Sequence, residues 1–194
     1  MKRLIISCDD FGVSKEINLA IKDCAQRGLI SSTSIVISGD FYEHALNDVV
    51  TQIPLKVFGI HLNLTEGKAI CNRSRNLIAD EQNFFNISAK KYFLYSFSKP
   101  KKDLKIAIYN EFKSQIEKAI SDGLNLSHFD SHEHIHHCPW IFKIISDLGK
   151  EFKIRRIRFV NEKIVFSNFI KDFYHKFISL NYLKYLIVYI NNKK

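Results

Sequence analysis

The chain predicts an α/β fold, a parallel β-sheet wrapped by helices, and three observations carry that reading. Short apolar runs alternate with amphipathic helical patterns along most of the 194 residues. The runs are of the kind a buried parallel strand shows, with little apolar/polar alternation. The polar residues that could do chemistry stand at the ends of these runs, where βα units gather their sites. Two architectures fit: a TIM-like β/α barrel or an open doubly wound sheet.

The first run, "RLIISC", leads into Asp9 and Asp10. "SKEINLAIKDCAQRG" follows as a helix, with Ser14 as N-cap and Gly28 as its stop. "STSIVISG" predicts a second strand, and "DFYEHALNDVVTQI" a helix ended by Pro54. "KVFGIHLNLTEG" is a third strand that carries His61 and runs into a loop. Residues 71–102 are polar and poorly periodic, an excursion with some helix. "KDLKIAIYNEFKSQIEKAISDG" is a strong amphipathic helix ended by Gly123. A histidine-rich strand, the helix "WIFKIISDLGKEF" and a strand at "IRRIRFV" follow.

Composition points to one soluble domain over residues 1–194, with 46% hydrophobic and 25% charged residues. The four cysteines are scattered, with no C-x-x-C pair, and the apolar N-terminal run is too short for a signal peptide. A cytoplasmic chain with free thiols is expected. The formal charge of +9 is concentrated near the end: residues 151–194 hold 10 Lys/Arg against 3 Asp/Glu. That basic aromatic segment, at about 163–194, patterns as an amphipathic helix whose lysines face solvent, so no nucleic-acid partner is expected. "YLKYLIVYI" is too short to span a bilayer. Its leucines and isoleucines would gain from pairing, which suggests a homodimer.

The strongest chemical signal is "HFDSHEHIHHCPW", residues 128–140, which holds five of the eight histidines. His128, Asp130, His132, His134 and His136 fall on every second position. On a strand all five would share one face, and burying such a row is costly unless something binds it. A divalent metal ion fits imidazole and carboxylate donors. Adjacent Asp9 and Asp10 make a second cluster, whose mutual repulsion a cation would relieve. Two histidines and a carboxylate hold an ion with positions left for water and substrate, and a neighbouring carboxylate can act as general base. Metal-assisted hydrolysis of an amide, ester or phosphoester follows.

"LIISCDDFGVSKEINLAI", "GLISSTSIVISGD", "GIHLNLTEG" and "SHFDSHEHIHHCP" resemble, in order, the motifs of the YdjC-like carbohydrate deacetylases, the chitooligosaccharide deacetylase family. The resemblance implies a TIM-like β/α barrel. It implies removal of N-acetyl groups from acetylated amino sugars or oligosaccharides, with a bound Mg²⁺ or Zn²⁺ and metal-bound water as nucleophile. It makes Asp10, His61 and His132 the metal ligands and Asp9 the base. Asp130, His134 and His136 would support a ligand or face the sugar, and His137 would be structural. The family's late histidine–proline–glycine motif has no counterpart here, and 194 residues are few for a barrel of ~250. An incomplete or open barrel, completed by a second subunit, is therefore expected. The alternatives are another metal hydrolase (amidohydrolase or phosphoesterase) and a non-catalytic family remnant that keeps its metal.

Overall fold

The computed structural model describes residues 4–159 except 56, 74 and 99. Four parallel strands form one sheet in the order β1-β2-β3-β4: Ser7–Phe11, Ser32–Ile35, Phe58–Leu62 and Leu126–Ser131. Neighbours in sequence are neighbours in the sheet throughout. That is the winding of a β/α barrel, whereas a doubly wound sheet reverses its strand order part-way. No reversal occurs among the described strands. Beyond β4, Ile157 bridges Phe129 in parallel, and Phe129 N–H donates to Arg156 O while Arg158 N–H donates to Phe129 O. Residues 156–158, within the segment expected as a late strand at "IRRIRFV", thus pair with the far edge of the sheet. The basic segment at 163–194, and with it the expected amphipathic helix and dimer contacts, lies outside the described residues.

The helices follow from caps and spacing. Helix α1, Lys15–Gln26, begins where Ser14 Oγ accepts from Ile17 N–H, and Gly28 past its end takes a φ of 70°. Residues 40–53 do not form the single helix their periodicity predicts. They make a short α2, Tyr42–His44, then a wider turn over Ala45–Val49 and a tight turn over Val50–Gln52. The excursion 71–102 contains α3, Ala89–Leu94. Helix α4, Lys102–Ser121, buries Ala107, Ile108, Phe112, Ile116 and Ala119, while α5, Pro139–Glu151, starts with proline in its first turn.

The core lies between sheet and helices. Phe11, Ile35, Ile60, Phe112 and Phe129 are all fully buried or nearly so, each worth ~1.5–3 kcal/mol of transfer free energy. One expectation fails: Leu4, Ile5 and Ile6 are exposed, at 81%, 76% and 47%. Strand β1 starts only at Ser7 and is an edge of the described sheet, so these residues have no second neighbouring strand to cover them.

Candidate metal centre

The carboxyl ends of β1, β3 and β4 converge, and a bulge aims the first. Between the Cys8–Thr33 and Phe11–Ile35 pairs, β1 uses one more residue than β2. The extra length sits at Asp9–Asp10, and Asp10 takes a φ of 63°, a left-handed conformation that aspartate tolerates better than most residues. Gly12 follows at φ 102°, where a Cβ would lie 2.9 Å from Val36 O. Buried Asn18 fixes this turn: its Oδ1 accepts from Gly12 N–H at 2.7 Å and its Nδ2 donates to Phe41 O at 3.0 Å.

Asp10 Oδ1 lies 2.9 Å from His132 Nδ1 and 3.3 Å from His61 Nε2. The two imidazoles meet edge to face at 5.7 Å. Asp10, His61 and His132 form a group whose donor atoms all lie within 4.8 Å of one another. Hydrogen bonds from His132 first, and then His61, hold the Asp10 carboxyl well below the usual carboxylate range. His132 is correspondingly raised, chiefly by its bond to Asp10. Burial disfavours charge on His61, but the bonds to Asp10 and Asp130 outweigh it and push that imidazole up to about 9. Two imidazole nitrogens and a carboxylate oxygen in this space suit a divalent ion.

The partner of His61 follows from strand register. His61 pairs with Asp130 across β3 and β4, and its Nδ1 lies 2.8 Å from Asp130 Oδ1. Donating Nδ1–H there turns Nε2 towards Asp10. Asp130 is fully buried; burial opposes its charge, but the bonds from His61 and Ser34 lower its pKa. Ser34 Oγ–H donates to Asp130 Oδ2 at 2.8 Å, and Oγ also lies 3.2 Å from His61 Nδ1 and 3.4 Å from Asp9 Oδ1. Asp9 turns the other way from Asp10. Its Oδ2 accepts from Arg158 Nη1 at 2.5 Å.

The histidine row is not one strand. Strand β4 ends at Ser131, and residues His132–His137 form a tight helical turn broken by Glu133 and His134 at φ 51° and 55°. Period two therefore puts only His128 and Asp130 on a common strand face. His132 starts the turn and reaches Asp10. His134 and His136 instead pack with His137, at ring separations of 6.2 and 4.2 Å. Ser131 Oγ lies 2.6 Å from His136 Nδ1 and accepts from His136 N–H. Neither donor group found among the described residues includes His134 or His136. Burial, with His137 and His134 nearby, keeps His136 well below the ordinary histidine range.

Three contributors escape a reading by motif. Ser34 is a polar residue in a buried strand, Arg158 one of three arginines in a short segment, and Glu66 a loop carboxylate 3.3 Å from His132 Nε2. The loop of Glu66 is tied to α4: Gln115 exchanges hydrogen bonds with Asn63, while buried Glu111 accepts from Ile70 and Cys71 N–H. A cavity of about 110 Å³ opens beside His132, lined in part by Ser38, Asn63 and Glu66.

A protein of Clostridium beijerinckii named carbohydrate deacetylase is 36% identical over 163 residues, covering 83% of this chain and 62% of its own length. One of Thermoanaerobacter pseudethanolicus with the same name is 31% identical over 183 residues, covering 90% of this chain and 70% of its own. The chain thus spans less than two thirds of the first relative. A crystal structure titled as a putative cellobiose-phosphate cleavage protein from Enterococcus faecalis superposes with a TM-score of 0.69. It is 23% identical and covers 86% of this chain and 62% of its own. Among the described residues no helix is long and apolar enough to cross a membrane. The family model described as YdjC-like protein matches residues 3–186, and the chain belongs to that family.

Proposed function

We propose that the chain is a metal-dependent hydrolase that removes N-acetyl groups from acetylated amino sugars or oligosaccharides. The observation that carries the reading is Asp10 Oδ1 set between His61 Nε2 and His132 Nδ1, with a second carboxylate one residue away. Relatives named carbohydrate deacetylase support a sugar as the substrate.

Asp10, His61 and His132 would hold the divalent ion, Mg²⁺ or Zn²⁺. What a bound ion supplies is Lewis acidity, enough to acidify water towards a pKa of ~7 and to polarise an amide carbonyl. Asp130 and Ser34 fix the His61 ring so that Nε2 faces Asp10. Asp9 accepts the proton of the attacking water at Oδ1, because Arg158 occupies Oδ2. Water adds to the acetyl carbon, the proton held by Asp9 passes to the leaving nitrogen as the C–N bond breaks, and acetate and an amine result. His134 and His136 shape the floor of the turn that carries His132.

The test is acetate release from a short N-acetylglucosamine oligomer by purified protein reloaded with Mg²⁺ or Zn²⁺. Ion-dependent release is expected. No release from protein shown to hold the ion would overturn the reading, and phosphate release from a sugar phosphate instead would make it a phosphoesterase.

A further inference from the structure

A second group of donors adjoins the first. Asp9, His61 and Asp130 also present ligand atoms within 4.8 Å of one another. The groups share His61, whose two nitrogens face opposite ways: Nε2 to Asp10, Nδ1 to Asp130. Two carboxylates this close, one of them fully buried, are costly unless a cation neutralises them.

A cation is already seated there. Arg158 Nη1 lies 2.5 Å from Asp9 Oδ2 and 3.6 Å from Asp130 Oδ2. Its backbone is fixed by the Arg158 N–H bond to Phe129 O, one residue before Asp130. A guanidinium keeps its charge at any working pH, so it neutralises this group permanently. His61 reinforces the division, since an imidazole that gives Nδ1–H to Asp130 has only Nε2 left for an ion.

We propose that Arg158 is the resident cation of the second group and limits the centre to one metal ion. Without its charge, Asp9 and Asp130 become a second ion site. Their oxygen donors suit a hard ion such as Mn²⁺. Arg158 also keeps Asp9 from joining Asp10 on the first ion, which separates the two neighbouring carboxylates. The inference rests on the proposed function only in taking the Asp10 group as an ion site.

The test counts Mn²⁺ ions in the full chain by calorimetric titration and electron paramagnetic resonance, for the parent protein, Arg158→Lys and Arg158→Gln. One ion is expected in the parent and Arg158→Lys. Two are expected in Arg158→Gln, with a spin-coupled spectrum because the two donor groups adjoin on either side of His61. Two ions in the parent would overturn the proposal, even if Arg158→Gln failed to fold. So would a single ion in Arg158→Gln with a parent-like circular dichroism spectrum. No ion in the parent but one in Arg158→Gln would refute the Asp10 site and with it the one-ion limit, while upholding Arg158 as the resident cation of the second group.

Discussion

At the end of β1 two carboxylates stand one residue apart and meet opposite partners. Asp10 faces two imidazoles, His61 and His132, which can exchange a proton for a metal ion. Asp9 faces Arg158, a cation that cannot leave, and the hydroxyl of Ser34. The bulge in β1 and the left-handed φ of Asp10 send the two side chains to these different neighbours. The comparison teaches that one dipeptide can serve an exchangeable site and a fixed one. The backbone turn between the residues makes the division.

Breaking the Asp10 side has the largest expected effect. Asp10→Asn removes the only carboxylate of the first group, so ion content and acetate release should both fall to background, as elemental analysis and an acetate assay would record. The next effect is indirect. Asp130→Asn frees the His61 ring and should weaken ion affinity by ~10–100-fold, read by titration with Zn²⁺.

Acidity sharpens the comparison further. In the ion-free chain His61 is raised from 6.5 to about 9. Its charged form between Asp10 and Asp130 therefore stabilises the fold fully below about pH 6.5, and that stabilisation is lost as pH rises through about 9. An ion needs the neutral Nε2, so its apparent affinity should rise across the same window, with proton uptake by buffer on binding at neutral pH. An affinity that is flat from pH 6.5 to 9 would remove His61 from the ion site. The smallest effect belongs to Glu66, whose side chain is 65% exposed. Glu66→Gln should change ion affinity by no more than ~1 kcal/mol.

Much of this was legible in the sequence because local rules decided it. The Ser14 cap, the Gly28 and Gly123 stops and the apolar strand runs are local signals, and the elements follow them. Asp10, His61 and His132 were legible through motifs at successive strand ends. The histidine row was misread because period two says nothing of where a strand stops. Positive φ at Glu133 and His134 breaks the row after Ser131, and that turn parts His134 and His136 from His132. Arg158 was illegible for another reason. Its role comes from a backbone pairing with Phe129 and from proximity to a residue 149 positions away. Neither leaves a mark on spacing. Leu4–Ile6 looked like buried strand because apolar runs do not show which strand lies at an edge.

The most direct test of the divided pair compares Asp9→Asn with His132→Ala, measuring bound ion and acetate release on the same samples. Asp9→Asn should keep its ion and lose turnover by ~10²–10⁴-fold, whereas His132→Ala should lose both. Equal loss of ion in the two variants would contradict the account, because Asp9 would then belong to the metal site and not beside it.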